Sequence, residues 1–333
     1  MTEIGSGGMN AQGPAVERCV DVVIVNWNAG PLLRECAESV VAHGRGLVSS
    51  VVVVDNDSSD GSDRSIERLA GVTLIRAGEN LGFARACNLG AASGGAEFLL
   101  FLNPDTRLLP DSLAPVIGFM RRAESADVGI CGIQLVGENG AVARNCARFP
   151  SATGFVARSA GLDRVSPAFS HFESEWDHAT TREVDQVMGA FFLVRRSVFD
   201  SLQGFDERFF VYFEDLDLAL RARRAGWSSV YFAGARAFHL GGGTSNQVKA
   251  HRLFYVLRGR ILYTYKHFNP YAATTVLAAT LLIEPLSRSV LALARRSFTS
   301  LKETWLAYGM LLRWLPGATA RVGRNHATRL PPR

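Results

Sequence analysis

Three carboxylates lie close together in the stretch VYFEDLDLALRARRAGW, residues 211–227. Glu214, Asp215 and Asp217 follow directly on a run of aromatic residues. A partly desolvated carboxylate is a stronger base than one in water, so one of the three could remove a proton from a substrate hydroxyl. A local explanation is also open, because the first turn of a helix attracts acidic side chains and Asp217 is spaced for an i,i+4 ion pair with Arg221.

A second polar group follows an apolar stretch in LNPDTRL, residues 102–108. Asn103 and Asp105 flank Pro104, which stiffens the turn, so that two oxygen ligands point out of the end of a predicted strand. Hard divalent cations take such oxygen ligands and can bridge the negative charges of a nucleotide diphosphate. The alternative is an ordinary Asx turn.

Asp55 belongs to a third polar group, at the end of the apolar run VVVVD. Its carboxylate could accept a hydrogen bond from the N3–H of uracil or thymine, or from a ribose hydroxyl. The residues that follow, NDSSDGS, are rich in turn and cap formers. A role as a turn or helix cap is therefore equally open.

The first half of the chain alternates strand and helix patterns. Short apolar, β-branched runs are separated by stretches of helical periodicity, and the runs cover residues 21–27, 49–57, 72–77 and 97–105. This alternation predicts a parallel sheet covered on both faces, wound by right-handed crossovers into a doubly wound α/β layer. Open α/β sheets bind ligands beyond the carboxyl ends of their strands, so the polar groups should meet at one crevice.

The later segments continue this pattern less regularly. Two strands are predicted between residues 127 and 150, and an irregular polar loop over residues 151–184. Buried strands are predicted over residues 185–197 and 228–240, and helices beyond residue 247.

Composition bounds the class of protein and its compartment. The 333 residues are 47% hydrophobic and 20% charged, which is typical of a globular protein with a sizeable core. Residues 1–18 are polar and glycine-rich and lack an apolar segment, so a disordered extension is predicted rather than a signal peptide. The five cysteines are scattered and form no CxxC pair, which favours reduced thiols in a cytoplasmic protein.

Charge is distributed unevenly along the chain. From residue 247 onward 14 Lys and Arg accompany two acids, whereas residues 1–246 carry 22 basic and 29 acidic side chains. This asymmetry argues against a nucleic-acid partner and favours a basic tail that contacts an anionic membrane surface.

Residues 272–283 form an apolar run that ends at Glu284. The run is shorter than the about 20 residues that a helix needs to span a bilayer, and basic and aromatic residues follow it. A helix at a membrane surface is therefore favoured, while a helix packed on the protein's own core has the same pattern and stays open.

In combination the motifs resemble those of family 2 glycosyltransferases, most closely the bacterial rhamnosyltransferase-like branch. No G-x-G-x-x-G follows the first predicted strand, as a dehydrogenase would need, and no Walker lysine occurs. The matching stretches span roughly residues 20–246 and occur in the order VIVNWN, VVVDNDSSDGS, NLGFARACNLG, FLNPDTRL, MGAFFLVRRSVF, GFDERFFVYFEDLDLALRARRAGW and FHLGGGTS.

The resemblance implies a GT-A fold, an α/β nucleotide-diphospho-sugar transferase fold with a mixed, mostly parallel sheet. It also implies a divalent metal, Mg²⁺ or Mn²⁺, and an inverting mechanism. Residues 19–246 are then the catalytic domain, preceded by the extension 1–18 and followed by a basic helical region, 247–333, at the membrane surface.

Individual roles follow from the same resemblance. Asp215 is expected to be the catalytic base, and Asp105 and His239 the metal ligands, although a lone histidine could equally be a core residue. The remaining assignments are acceptor binding by Glu214, Gly189 and Ala190, and nucleotide-sugar binding by Asn28, Asp55, Asn80, Gly82, Asn88 and Asn103. Asn103 replaces the first aspartate of the family's D-x-D motif, so metal binding should be weaker and depend on the diphosphate.

The function expected from this resemblance is transfer of L-rhamnose from dTDP-rhamnose to a glycan acceptor on a polyprenyl diphosphate, in cell-wall or surface-polysaccharide biosynthesis. The enzyme would lie on the cytoplasmic face of the membrane as a peripheral protein. Three alternatives stay open: transfer of galactofuranose, glucose or N-acetylglucosamine; a non-catalytic nucleotide- or glycan-binding module; and a peripheral membrane scaffold.

Overall fold

The computed structural model describes residues 18–44, 46–166, 169–173, 175–241 and 249–325, with only the backbone for residues 318–325. The predicted extension over residues 1–18 lies outside the described residues except for Arg18. The GGTS segment that follows His239 in the FHLGGGTS motif lies outside them as well.

The described residues form a central sheet, a two-stranded ribbon and helices on both sides. The strands are β1 (Val20–Asn26), β2 (Val48–Asp55), β3 (Thr73–Arg76), β4 (Phe98–Leu102), β5 (Thr106–Leu108), β6 (Val128–Val136), β7 (Cys146–Ala147), β8 (Arg182–Val184), β9 (Gln186–Val187), β10 (Phe191–Arg195) and β11 (Ser228–His239). The helices of the first 241 residues are α1 (Pro31–His43), α2 (Ser62–Ile66), α3 (Phe83–Ala91), α4 (Ala114–Met120), α5 (Ala152–Ser159), α6 (Arg196–Ser201) and α7 (Glu214–Arg224).

The central sheet is mixed, with most strands in one direction. Within the described residues its order is β3–β2–β1–β4–β10–β6–β11–β5, and β8 pairs with β11. The strands β10, β5 and β8 run opposite to the others, while β1, β2, β3 and β4 are mutually parallel. The predicted doubly wound, mostly parallel α/β sheet is thus confirmed.

Both faces of the sheet are buried because successive strand residues point to opposite sides. In β1, Val22 and Ile24 pack with residues of α1, α2 and α4. Val23 and Val25 pack with residues of α3, α6 and α7 on the other face. A strand covered on both faces needs apolar residues at every position, which explains the continuous runs in the sequence.

Two predicted segments differ from the structure. The loop predicted over residues 151–184 contains α5, which Ser151 caps by accepting a hydrogen bond from Gly154 N at 3.0 Å. This helix is stabilised by tertiary packing of its buried Phe155, which its weak helix formers do not reveal. The single strand predicted over residues 185–197 is divided into β9 and β10 by a turn in which Ala190 N donates to Met188 O at 2.9 Å.

The C-terminal region is helical, as predicted. It contains α8 (Lys249–His267), α9 (Pro270–Ala278), a π-helical turn (Ala279–Ile283), α10 (Glu284–Ala294) and α11 (Phe298–Asn325). From Pro270 to Ala294 the helical segment has 25 residues with a mean hydropathy of 1.6, and 33% of its apolar window is buried inside the protein. By length and composition alone this segment could cross a membrane, so the helix is longer than the apolar run suggested.

A buried ion pair fastens this helical segment to α8. Arg260 and Glu284 are 1% and 2% exposed, and their Nη1 and Oε2 atoms lie 2.5 Å apart. Arg288 contacts the other carboxylate oxygen at 2.8 Å. Although burial alone would raise the pKa of Glu284, the charges of Arg260 and Arg288 hold that pKa below its usual value. The carboxylate is therefore ionised in the folded protein.

Removing one member of this pair is expected to destabilise the fold. In Glu284→Gln the Arg260 guanidinium stays buried without a counter-charge, which typically costs about 3–5 kcal/mol of the free energy of unfolding. Urea unfolding followed by tryptophan fluorescence measures the loss.

Two further variants control for this interpretation. The apolar pair Arg260→Met with Glu284→Leu should recover most of the loss, because both fully buried charges are removed and the remaining Arg288 side chain is 26% exposed. Glu303→Gln, at a partly exposed position of α11, should change the free energy by less than about 0.5 kcal/mol. An equal loss in Glu303→Gln and Glu284→Gln would contradict the ion-pair account.

Candidate active site

The carboxyl ends of β1 and β2 carry a hydrogen-bonded pair of polar side chains. Asn26 Nδ2 donates to Asp55 Oδ1 at 2.7 Å, and Ser58 N donates to Asp55 Oδ2 at 3.1 Å. Asp55 thus caps the turn that follows β2, which is the local role that the sequence left open. Its binding of a nucleotide base stays a prediction.

Asn28 joins two loops at this edge of the sheet. Its backbone is left-handed, with φ of 52°, a conformation that asparagine tolerates better than most residues. Its Oδ1 accepts from Ser59 N at 2.8 Å, and its own N–H donates to Ser58 Oγ at 3.0 Å. The loops after β1 and β2 therefore form one wall beside Asp55.

Gly82 brings the start of α3 against the chain that precedes α7. Its φ is +81°, and a Cβ at this position would lie 2.4 Å from Phe210 O, so only glycine fits. Phe83 N donates to the same carbonyl at 2.5 Å, and Asn80 Oδ1 accepts from Gly82 N at 3.0 Å. Asn80 and Gly82 thus have structural roles beside their predicted nucleotide contacts.

Asn88 has a structural role in the second turn of α3. Its Nδ2 donates to Phe205 O at 2.9 Å, and its Oδ1 accepts from Phe205 N at 2.9 Å. It lines a cavity with Arg196 and Glu207, separate from the strand ends that carry Asp55. A nucleotide contact by Asn88 stays a prediction.

Asp105 and His239 are brought together by the sheet. The antiparallel pairing of β5 with β11 places Thr106 opposite His239, so that Asp105 Oδ1 and His239 Nε2 lie 3.3 Å apart. Asp105 is buried, and its backbone carbonyl accepts from Leu240 N at 3.1 Å.

This pair fits a divalent cation. Two adjacent ligands of an octahedral Mg²⁺ lie about 3 Å apart, because each bond is about 2.1 Å. Within the described residues no group of three or more His, Cys, Asp or Glu side chains could hold a metal ion. Asp105 and His239, with the neighbouring Asn103, are the residues that would hold the ion.

Asp215 lies at the start of α7 and accepts two backbone hydrogen bonds. Leu216 N donates to its Oδ1 at 2.7 Å, and Gly189 N donates to its Oδ2 at 3.1 Å. Burial raises the pKa of Asp215, and bonds from Leu216, Gln186 and Gly189 oppose that rise. The carboxylate is held in place by donors and made more basic by its surroundings.

The turn between β9 and β10 joins Asp215 to the loop of Asn103. Gly189 contacts Asp215, and the next residue, Ala190, accepts through its carbonyl from Asn103 N at 3.1 Å. Thr106 Oγ1 donates to the same carbonyl at 3.3 Å. A short path of backbone hydrogen bonds thus connects the predicted base with the predicted metal ligands.

Glu214, beside Asp215, has a different environment. It is buried, and within the described part of the chain its Oε2 has no hydrogen-bond partner. Burial, and then the charge of Asp215, raise the pKa of Glu214 well above its usual value. The neutral acid is therefore favoured, and the predicted acceptor contact of Glu214 stays a prediction.

Asp217 is fully buried and contacts three basic side chains. The predicted pair with Arg221 forms, with 2.7 Å between Oδ2 and Nε. Lys266 Nζ and His267 Nε2, at the end of α8, approach Asp217 Oδ1 at 2.6 and 2.7 Å. Although burial would raise the pKa of Asp217, His267, Lys266 and Arg221 hold it below its usual value. The sequence pattern identified Arg221 but missed the two residues of α8, which are distant in the chain.

The backbone before α7 is unusual. Tyr212 and Phe213 both have left-handed conformations, with φ of 68° and 72°. This conformation costs roughly 1–3 kcal/mol for each such residue and is found mainly at functional sites. The strained turn sets the direction in which Glu214 and Asp215 enter the helix.

Comparisons with known proteins identify the family of this chain. The profile of Glycosyl transferase family 2 matches residues 21–203. The N-acetylglucosaminyl-diphospho-decaprenol L-rhamnosyltransferase of Mycobacterium tuberculosis is 32% identical over 232 residues, which cover 66% of this chain and 75% of that protein. Rhamnosyltransferase WbbL of Escherichia coli is 26% identical over 228 residues, with 66% and 83% covered.

A solved structure shares the fold. The mannosyltransferase PcManGT from Pyrobaculum calidifontis, in complex with GDP-Man and Mn²⁺, superimposes with a TM-score of 0.53 at 17% identity. The match covers 88% of this chain and 86% of that one.

The fold and the family profile together define a glycosyltransferase of the GT-A type. The chain belongs to Glycosyl transferase family 2 and is similar to its rhamnosyltransferases. The resemblance seen in the motifs, the GT-A fold and the class of enzyme, a hexosyltransferase, are thereby confirmed.

Replacing Asp215 by asparagine is expected to lower kcat for sugar transfer about 10²- to 10⁴-fold, the usual contribution of a general base. Because burial raises the pKa of Asp215, the acid limb of the wild-type rate profile should lie above the pH, about 3.9, at which an exposed aspartate titrates. Initial rates between pH 4 and 9 measure both effects.

Asp111→Asn is the matched control, because Asp111 is exposed. Its kcat and pH profile should equal those of the wild type. Wild-type activity in Asp215→Asn would exclude Asp215 as the base.

Proposed function

We propose that this chain transfers L-rhamnose from dTDP-rhamnose to a glycan carried on a polyprenyl diphosphate, with inversion at the anomeric carbon and with a divalent metal. The observation that carries the proposal is the path from Asp215 through Gly189 and Ala190 to Asn103. It links the half-buried Asp215 carboxylate to the loop that leads from Asn103 to Asp105. The relatives whose names specify rhamnose support the choice of sugar.

Asp215 removes the proton from the acceptor hydroxyl as the new bond to the anomeric carbon forms. The bond from that carbon to the nucleoside diphosphate breaks, and the diphosphate leaves with the electron pair. Attack opposite the leaving group inverts the anomeric carbon, through an oxocarbenium-like transition state. Gly189 N–H keeps Asp215 Oδ2 directed toward the crevice.

Asp105, His239 and Asn103 would hold the Mg²⁺ or Mn²⁺, which neutralises charge on the departing diphosphate when bound. Asn103 brings no charge to this set, so metal affinity is lower than with two carboxylates and rises when the nucleotide is present. Asp55 would accept from the base, beside the wall formed by Asn28.

Peripheral attachment to the cytoplasmic face of the membrane is part of the proposal. Leu282, Leu286, Val290 and Leu293 are exposed, and their spacing of three and four residues places them along one side of the helix. The opposite side carries Glu284, which the buried bond to Arg260 fixes to α8.

Further exposed side chains complete a surface suited to an anionic bilayer. Tyr271, Phe298 and Trp305 extend the apolar area, and the exposed basic residues Arg295, Arg296 and Lys302 lie between them in the sequence. Apolar insertion combined with basic attraction is the physical basis of a helix that lies in the interface.

Release of nucleoside diphosphate by the purified chain tests the chemistry. A panel of nucleotide sugars is incubated with Mn²⁺, Mg²⁺ or chelator, with and without a polyprenyl-diphosphate-linked acceptor. Release from dTDP-rhamnose that needs metal and increases with the acceptor is expected. Asp105→Asn should raise the metal concentration for half-maximal rate at least about 10-fold. Preference for another nucleotide sugar would contradict rhamnose as the transferred sugar. Rates that are unchanged by chelator would contradict the proposed need for a divalent metal.

Sedimentation with vesicles tests the membrane surface. The full chain should bind vesicles containing phosphatidylglycerol, and salt should weaken the binding. Val290→Glu, at a position that is 67% exposed on α10, should reduce binding at least about 10-fold, because a charge then faces the hydrocarbon.

Val165→Glu is the matched control, since Val165 is 82% exposed and lies outside the C-terminal helices. Equal loss in both variants, or equal binding to purely zwitterionic vesicles, would contradict the proposed surface.

A further inference from the structure

Helix α8 packs directly against the strained turn that precedes the predicted base. A Cβ on Gly259 would lie 2.7 Å from Phe213 Cδ2 and 3.1 Å from Tyr212 O. Glycine inside a helix costs about 0.5–1 kcal/mol relative to alanine. The glycine at position 259 therefore has a steric explanation, because a residue without a side chain lets α8 approach the left-handed pair Tyr212 and Phe213.

The same face of α8 makes two more contacts with α7 and the turn. The ring centroids of Tyr263 and Phe213 lie 5.8 Å apart, and Lys266 and His267 bond Asp217 Oδ1 at 2.6 and 2.7 Å. Positions 259, 263, 266 and 267 share one side of a helix.

These contacts bracket Asp215. Phe213 precedes it by two residues and Asp217 follows it by two, so α8 holds the chain on both sides of the carboxylate. Two adjacent aromatic residues stay left-handed only where the surrounding structure imposes that conformation. In the described residues α8 supplies part of that surrounding.

We propose that α8 is part of the catalytic unit and that Gly259 and His267 are positioning residues that aim the Asp215 carboxylate at the acceptor hydroxyl. The proposal rests on the role of Asp215 as the base in the proposed function. It also means that the division predicted at residues 246 and 247 separates the base from its support. The added methyl group of an alanine at 259 displaces the turn and with it the carboxylate.

Gly259→Ala in the full chain tests this role. We expect kcat to fall at least 10-fold, with the KM values of donor and acceptor within twofold of wild type, because binding is kept and the base is misdirected. Assays are run at 20 °C, where circular dichroism shows each variant to be folded. Gly309→Ala is the matched control, since a Cβ at that helical position meets nothing within 4 Å, and its kcat should be unchanged.

A second variant and a second readout keep the test decisive. His267→Gln removes the imidazole that bonds Asp217 Oδ1 at 2.7 Å, and should also lower kcat more than it raises KM. Hydrogen exchange of peptides covering residues 210–217 should be faster in Gly259→Ala than in wild type, and equal to wild type in Gly309→Ala. A kcat within twofold of wild type in both Gly259→Ala and His267→Gln overturns the inference.

The exchange measurement separates this inference from the proposed function. If the wild type transfers no sugar from any donor, the proposed function fails, while faster exchange at 210–217 still shows that α8 supports the turn. Unchanged hydrogen exchange at residues 210–217 in Gly259→Ala would show that Gly259 does not stabilise the turn, and this result does not depend on which sugar donor the enzyme uses.

Discussion

The site depends on the hydrogen bonds of one turn, in which Gly189 N–H contacts Asp215 and Ala190 C=O contacts Asn103. The turn lies at the carboxyl edge of the sheet because β10 is antiparallel to β4, with Phe191 opposite Leu102. A parallel strand in that place would begin at the other edge. The reversed direction of one strand thus brings groups from three distant segments into one crevice.

The three carboxylates of α7 are accommodated in three different ways. Glu214 is buried, and in the part of the chain that the structure describes its Oε2 has no hydrogen-bond partner; burial and the charge of Asp215 favour its neutral form. Asp217 is ionised among Arg221, Lys266 and His267. Among the described residues the donors to Asp215 are neutral, and burial raises its pKa, which suits the exchange of protons predicted for it. The local explanation therefore applies to Asp217, which anchors α7, and the functional explanation stays a prediction for Asp215.

Much of this arrangement could be predicted from local pattern. The continuous apolar runs predicted the strands β1, β2 and β4. The polar residues at the ends of these runs predicted a binding crevice at the carboxyl edge of the sheet. Contacts between distant segments could not be predicted. Helix α5 depends on packing against the C-terminal helices. The break at residues 188–190 depends on hydrogen bonds with Asn103, which follows β4, and with Asp215 of α7. From the sequence alone Gly259 is a glycine that destabilises a helix, and the reason for it is visible only in the structure. Each of these features is determined by a contact with a residue far along the chain, and the periodicity of the sequence carries no information on such contacts.

The buried ion pair between Arg260 and Glu284 also limits which substitutions can be accepted at these two positions during evolution. Loss of Glu284 alone leaves the buried Arg260 without its counter-charge, and loss of Arg260 alone leaves Glu284 with only the partly exposed Arg288, whereas an apolar pair of similar volume is tolerated. Related chains should therefore exchange both positions together, and intermediates with a single change should be rare. Covariation between residues 260 and 284 would then mark, in an alignment, the point at which the C-terminal helices became an inseparable part of the enzyme.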